Sequence, residues 1–352
     1  MYKIHRYLLH LVTNELNDQI TSSTLSPGHA KDELPKVEKW WGFVDLYEYD
    51  GFWYRNDWLE GAIAAKSNLQ AQDNDVLLSS QPKSGTTWLK ALMVSIMGSH
   101  AAQTFNNIND AKDQYDLLEE NFPHDLIPSL ESLWHWEIFS NPLRASENPI
   151  QCPTLKGQPR LHQTHVPYSM LSESVKNSGC KIVYITRDPK DVLVSLWHFL
   201  NAAKKPEVPP YSMEDAFDSF RKGVHASGPF HDHVLGYWKE SLARPDKILF
   251  LRYEDMKMNP RGEVTKLASF LGRPFINDDE ADRIISRCSL ERLKNMQVNK
   301  EGCTFNGMPR SSFFRRGVVG DWKNLFTPEM KERLDEITRK KFQGSGLDIY
   351  YP

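Results

Sequence analysis

The sequence predicts an α/β protein built on a doubly wound parallel sheet flanked by helices. Three observations carry this. Short runs of strand character at Val76–Leu78, Cys180–Thr186 and Asp246–Tyr253 are each followed by a helical pattern with an apolar face. That alternation builds parallel sheets through right-handed crossovers. The helices open on start signals, Thr86-Thr87, Asp188-Pro189 and Asn259-Pro260, with Pro suited to the first helical position. Two of the strand ends also carry anion-binding residues, and ligands of such sheets lie outside the carboxyl ends of the strands.

The whole chain sets the bounds. It has 352 residues, 40% hydrophobic and 25% charged, an ordinary globular composition. We expect an N-terminal segment over 1–38, partly flexible, and one domain over 39–352. A net charge of −3 and the lack of a long Lys/Arg run argue against a nucleic-acid partner. No stretch approaches 18 consecutive apolar residues, so no membrane partner is expected. The four cysteines, Cys152, Cys180, Cys288 and Cys303, are scattered without a C-x-x-C pair. They read as reduced thiols of a cytoplasmic protein, not as a disulfide frame or zinc site. Met1–Val12 is basic and partly apolar but has no small-residue cleavage pattern. It reads as an amphipathic segment ahead of a loose linker, Thr21–Pro35.

Trp40–Trp58 is dense in rings, read mostly as core and edge packing. Phe52, Trp53 and Tyr54, with the later Tyr168, are also candidates to face a planar acceptor. Val76–Met97 is the most informative stretch. Pro82 ends the strand because it has no N–H to give, and Gly85 allows a sharp turn and close backbone approach to a ligand. Trp88, Leu89, Leu92, Met93 and Ile96 then recur at helical spacing. The turn delivers Lys83, Ser84, Gly85, Thr86 and Thr87 to a helix N-terminus, an anion site by construction. The order is not that of a Walker A loop, because Lys83 precedes the single Gly.

Gln103–Ser146 is polar and broken by prolines, so it reads as loops and short helices. Leu161–Val166 reads as a short strand ended by Pro167, leaving His165 at a strand end as a candidate general base. Arg187 stands at the end of the next strand, with Ser195 two turns into its helix. The pair can share one anion; the plainer alternative is that Arg187 pairs Asp188 or Asp191. Met213–Leu242 reads as helix broken near Gly228-Pro229. His231-Asp232-His233 lacks a third ligand at helical spacing and reads as a core or solvated pair, so no metal is expected. Asp278–Met296 reads as helix with a break near Ser289, and Asn299–Pro309 as a loop. Arg315, Arg316 and Gly317 join two forked donors to a flexible joint, which suits a phosphate clamp. Thr327-Pro328 opens a last helix.

Two phosphate clamps imply a nucleotide with phosphates at both ends. The motifs that carry them resemble those of the cytosolic (soluble) sulfotransferases, the plant members above all, from about residue 40 to the end. QPKSGTTWLKAL resembles the family's 5′-phosphosulfate loop, YITRDPKDVLVSLWHF its 3′-phosphate segment and FFRRGVVGDWKNLFTPEM its C-terminal phosphate loop. QTHVPY resembles the segment with the family's catalytic His. The resemblance implies the P-loop-like sulfotransferase fold. It implies 3′-phosphoadenosine 5′-phosphosulfate (PAPS) as sulfuryl donor, the bisphosphate PAP as leaving group, and no catalytic metal. It also implies roles: His165 as base and Lys83 at the bridging oxygen; Ser84, Gly85, Thr86 and Thr87 at the 5′ end; Arg187, Ser195, Arg315, Arg316 and Gly317 at the 3′-phosphate; Trp88 and Tyr253 at the adenine.

Three positions depart from the family's pattern. Gln163 stands where many animal members have Lys, Leu290 where a Phe is usual after Cys288-Ser289, and Pro328 where Val is usual in the dimer segment. Pro removes a backbone donor, so a monomer is expected. The implied acceptor is a small-molecule hydroxyl: a flavonoid, a steroid or brassinosteroid, a hydroxyjasmonate or a related metabolite. A P-loop kinase and a non-catalytic nucleotide or hormone scaffold are the competing readings. The first lacks a second Gly before Lys; the second leaves Lys83 and His165 together unexplained.

Overall fold

The structure, a computed structural model, describes residues 33–42, 44–104, 116–133, 159–204, 207–304 and 307–348. The expected N-terminal amphipathic segment and most of its linker lie outside them. Four parallel strands form the central sheet: β4 (Val76–Ser80), β5 (Leu161–Thr164), β6 (Lys181–Thr186) and β7 (Ile248–Arg252), in the order β5-β4-β6-β7. Val76 of β4 is level with Leu161 of β5 and Lys181 of β6. All five residues of β4 are buried.

Side chains of a strand alternate between its faces, and here both faces are covered. Val76 and Leu78 of β4, Val183 and Ile185 of β6, and Leu249 and Leu251 of β7 enter one core. That core includes Leu89, Leu92 and Met93 of the helix Thr86–Thr104, with Val264 and Leu267 of the helix Pro260–Phe270. Leu77, Ile182, Tyr184 and Ile248 point the other way, onto Leu59, Ala62 and Ile63 of the helix Asn56–Asn68. This two-sided burial is why the strands read as continuous apolar runs.

The expected breaks occur where local chemistry places them. Helices Met213–Arg221 and Phe230–Ala243 flank Gly228-Pro229. The helix Asp278–Arg287 stops before Ser289, whose Oγ accepts the Arg292 amide and starts Leu290–Asn295. Asp188, Asn259 and Thr327 each cap the helix that follows with a side-chain oxygen. One reading is corrected, and one element is added where the sequence offered only packed rings. Tyr253 is not the end of a strand but the first residue of the helix Tyr253–Met258. And the aromatic-rich stretch is a sheet: β1 (Lys36–Trp40), β2 (Val44–Tyr49) and β3 (Phe52–Arg55) pair antiparallel. Asp50-Gly51, with φ of +53° and +76°, closes the β2–β3 hairpin. Asp-Gly between aromatic runs is a strong hairpin signal, outweighed in the sequence by the ring content.

Of the four candidate acceptor rings before and after the site, none reaches the cavity described below. Tyr54 is fully buried in the core, Phe52 packs edge-on to His233, Trp53 joins the cluster around Trp40, and Tyr168 packs on Tyr237. Strand alternation sends Phe52 and Tyr54 to one core cluster and Trp53 to another, and Tyr168 packs from a 3-10 turn, Tyr168–Met170.

Gly61 decides how closely the helix Asn56–Asn68 approaches the site. A Cβ there would lie 1.9 Å from the Glu131 carbonyl oxygen. Gly61→Ala is therefore expected to lower stability by about 1–3 kcal/mol, the usual cost of overpacking, read as a lower urea midpoint.

Candidate active site

The turn after β4 holds Lys83 with φ of +69° and Gly85 with φ of +112°. Such a φ is uncommon for a side-chain-bearing residue and is retained where the surroundings over-determine it. A Cβ on Gly85 would meet Tyr253 Cδ2 at 2.9 Å and Ile185 Cδ1 at 3.0 Å, so glycine is what lets this turn lie against β6 and the start of the helix Tyr253–Met258. Thr86 and Thr87 follow as the first helical residues, where backbone N–H groups have no intrahelical partner. The Lys83 ammonium sits 3.8 Å from the ring centre of Phe199 and 5.3 Å from that of Phe313. Loss of surrounding water, and then the positive charges of Arg315 and Arg187, bring its pKa down to about 7.

His165 lies one residue beyond β5. Its Nδ1 is 2.7 Å from the Ser80 carbonyl oxygen. A carbonyl only accepts, so the ring proton sits on Nδ1 and Nε2 keeps its lone pair. Burial lowers the pKa of the ring, with Glu131 and the Ser80 carbonyl acting in the opposite sense. Neighbours hold the ring in place. The His165 amide donates to Glu131 Oε1 at 2.5 Å, and the Thr164 hydroxyl donates to the same oxygen at 2.8 Å. His233 Nε2 lies 3.1 Å from the His165 carbonyl oxygen, while Tyr184 Oη lies 2.9 Å from His233 Nδ1. Trp58 stacks on the imidazole at 5.6 Å. His233 is thus engaged in a core hydrogen-bond chain, and His231 Nε2 meets Thr338 Oγ1 at 2.9 Å. Among the described residues no group of three His, Cys, Asp or Glu side chains is placed to hold a metal.

Arg187 ends up between the two readings of it. Its guanidinium donates to Asp191 Oδ2 at 3.1 Å and to the Val318 carbonyl at 2.6 Å, and stacks 4.5 Å above the Tyr253 ring. Yet its Nε, although buried, has no partner among the described residues. Asp191 also accepts the Gly320 and Trp322 amides, at 2.8 and 3.0 Å, tying the C-terminal loop to the first turn of the helix Pro189–Asn201. Within that loop Asp321 takes Arg315 at 2.5 Å and Arg316 at 2.8 Å. Gly317, with φ of +60°, faces Leu290, whose Cδ2 would be 2.7 Å from a Cβ at that position. Leu290 therefore fills the space beside the loop with aliphatic bulk.

A single cavity of about 810 Å³ connects these groups. Lys83, Gly85, Thr86, Thr87, Trp88, His165, Arg187, Ser195, Tyr253, Arg315, Arg316 and Gly317 all line it. Ser84 alone of the expected residues does not; it is fully buried, and its hydroxyl has no partner among the described residues. Trp40, Val44, Trp58, Leu133 and Leu200 add apolar lining, with the Arg55 guanidinium 5.2 Å over the Trp58 ring.

Sequence reasoning missed several neighbours. Glu131 and His124 lie in the proline-broken region and gave no periodic signal. Phe199 and Phe313 were inside quoted motifs, but nothing in their spacing says they enclose a lysine. Lys90 was also in view, three residues after Thr87, the spacing that puts two side chains on one helix face.

Residues 73–346 match the sulfotransferase domain family. The chain belongs to that family. The enzyme is 42% identical to cytosolic sulfotransferase 5 of Arabidopsis thaliana over 343 residues, covering 96% of this chain and 99% of the relative. Its fold is similar to that of a candidate steroid sulphotransferase of Arabidopsis thaliana, at 32% identity and a TM-score of 0.69, covering 95% of this chain and 98% of that one. A mouse sulfotransferase complexed with PAP is similar at 27% identity and a TM-score of 0.61, over 86% of this chain and 95% of that one. The protein is a PAPS-dependent sulfotransferase. The residues present fit such a donor. Arg187 Nε and Gln163 Nε2 are buried donors on the cavity wall without a partner among the described residues. Gly85 and Gly317 open the backbone beside the cations.

Proposed function

We propose that this enzyme sulfates the hydroxyl of a planar or polycyclic small molecule, a flavonoid or steroid-like alcohol, with His165 as the general base. The observation that carries the reading is one cavity lined both by cations and by apolar side chains, with His165 and Lys83 on its wall. Rings such as Trp40 and Trp58 offer flat apolar surface to a rigid acceptor. The similarity to a candidate steroid sulphotransferase supports the same class.

Bound PAPS supplies an activated sulfuryl group whose leaving group is a bisphosphate nucleotide. The chain's own residues do the rest. His165 Nε2, with its lone pair left free by the Nδ1–H bond to the Ser80 carbonyl, would take the acceptor hydroxyl proton as that oxygen bonds to sulfur and the bond from sulfur to the bridging oxygen of the donor breaks, releasing PAP. Lys83 places positive charge at the bridging oxygen where negative charge develops. Gly85, Thr86 and Thr87 would hold the 5′ end, with Ser84 buried behind the turn, Arg187, Ser195, Arg315, Arg316 and Gly317 the 3′-phosphate, and Trp88 and Tyr253, 5.6 Å apart and edge to face, the adenine. Oriented cations and positioning suffice for a transfer of this kind, by analogy with phosphoryl transfer, so no metal is invoked.

Relatives matching nearly the whole chain are named cytosolic, and among the described residues no helix is long and apolar enough to cross a membrane. Cytoplasm is the compartment assigned. The monomer is proposed from Pro328, which opens the last helix at the position of the family's dimer segment.

The test is transfer from labelled PAPS to a panel of flavonoids, steroids, hydroxyjasmonates and simple phenols, with chelator present and Mg²⁺ omitted. Labelled flavonoid or steroid with the simple phenol much slower is expected. PAP binding with no labelled alcohol would favour the scaffold reading, and binding of ATP with Mg²⁺ instead of PAP would favour the kinase.

A further inference from the structure

One buried cluster on the cavity wall has its hydrogen bonds forced into a single direction. Lys90 lies on the helix Thr86–Thr104 and is 0% exposed. Its ammonium is 3.0 Å from His124 Nδ1 and 3.2 Å from Gln163 Oε1. An ammonium only donates. His124 Nδ1 is therefore the accepting nitrogen, and the ring proton sits on Nε2. That nitrogen lies 2.9 Å from Thr87 Oγ1 and donates to it. Having accepted there, the Thr87 hydroxyl keeps its own proton for another acceptor.

The second branch runs the same way. The Gln163 carboxamide oxygen faces Lys90, so its NH₂ group is turned from the ammonium. Gln163 is 1% exposed, and Nε2 has no hydrogen-bond partner among the described residues. A buried donor left without an acceptor is costly unless a ligand completes it. Gln163 and Thr87 both line the cavity, and Gln163 is two residues before His165. Burial, and then the Lys90 charge, hold His124 well below its ordinary pKa, so the ring stays neutral and the relay keeps its direction.

We propose that Lys90 is a positioning residue that, through Gln163 and His124, turns two donors toward the reacting group. These are the Gln163 carboxamide N–H and the Thr87 hydroxyl. The identity of the oxygens they meet, those of the sulfuryl group and the 5′-phosphate, rests on the sulfuryl-transfer reading above; the polarity of the cluster does not. Donors set before the reaction need no reorganisation as charge develops. The ammonium acts through two polar groups and does not itself touch the anion.

Two measurements test this on the full chain. The first is nitrogen NMR of ¹⁵N-histidine-labelled protein without ligand, with His124 assigned by its loss in His124→Asn. We expect a pyrrole-type Nε2 and a pyridine-type Nδ1 in the wild type. The fixed tautomer should be lost in Lys90→Met and kept in Gln163→Met. A wild-type ring protonated on Nδ1 would overturn the proposal whether or not any alcohol is turned over.

The second is steady-state kinetics with PAP titration. Lys90→Met should lower kcat by about 100-fold and Gln163→Met by about 10-fold, with the Kd for PAP within about 3-fold of wild type in Gln163→Met and weakened by no more than about 10-fold in Lys90→Met, where the Thr87 bond to the 5′-phosphate is also disturbed. The double variant Lys90→Met/Gln163→Met should be no slower than Lys90→Met, because one residue acts through the other. Lys90→Met/Gln163→Lys, which moves the ammonium to the strand, should recover about 10-fold. Losses that multiply in the double variant, or a PAP affinity that falls as far as kcat/KM, would overturn it. Should Lys90→Met fail to fold, Gln163→Met and the wild-type tautomer carry the test. A wild type that labels no alcohol counts against the sulfuryl reading alone, since the tautomer is read separately.

Discussion

His165→Ala is expected to lower kcat/KM for sulfuryl transfer by about 100- to 10,000-fold, the range of a lost general base, while PAP still binds. The structural reason is the tautomer. Ser80 takes the Nδ1 proton at 2.7 Å, so Nε2 is the nitrogen left to act. The pH profile carries a second expectation. The His165 pKa is lowered, by burial first, and a base works in its neutral form. Activity should therefore hold level as pH falls through 6.5, the ordinary value for the ring, and decline only below it. An acid limb centred above pH 6.5, or a His165→Ala enzyme with near-normal kcat/KM, would remove His165 from the role. Stopped assays over pH 5–8 with a fixed acceptor read both.

Lys83→Met should have the second large effect. Loss of a preorganised cation at the developing charge is expected to lower kcat by about 100- to 1,000-fold. It should also change how PAP binding depends on pH. In the free enzyme the Lys83 pKa is about 7, lowered by burial and by Arg315 and Arg187. A bound anion favours the charged ammonium and raises that value. Binding then takes up a proton, so the Kd for PAP should rise as pH climbs above about 7, by at most tenfold per unit, because one proton is involved. Below about 7 the lysine is already charged and this dependence disappears. In Lys83→Met the Kd should be weaker and free of this contribution. Calorimetric titration in two buffers of different ionisation enthalpy checks the proton uptake directly. A pH-independent wild-type Kd between pH 7 and 9 would show that Lys83 is not the titrating group.

These expectations reach back to the sequence unevenly. Residues whose role follows from their place on a strand end or helix start could be read in advance. Lys83, Gly85 and Thr86 stand between an apolar run and a helical repeat, and backbone geometry alone makes such a junction an anion site. Arg187 and His165 were legible for the same reason. Long-range partnerships were not. Asp191, four residues on, was a visible partner for Arg187, but the Val318 carbonyl that takes the same guanidinium lies 131 residues away, and only the fold shows that Nε is left unpaired among the described residues. Glu131, which holds the His165 amide, has no spacing signal at all, because nothing local relates a carboxylate on a short helical turn to a strand end 34 residues on.

The sequence by itself determined the alternating strand and helix order, the two-faced burial of the parallel strands, the family and the phosphate-binding junctions. Each follows from periodicities of 2 and 3.6, from capping chemistry or from a contiguous motif. Only the tertiary structure decided which rings face the cavity, placing Trp58 over His165 and Phe199 over Lys83 while sending Tyr54 into the core. It alone joined Lys90 to His124 and Gln163. Side-chain direction and long-range pairing depend on how separate elements pack in three dimensions, and a linear pattern carries no record of those distances.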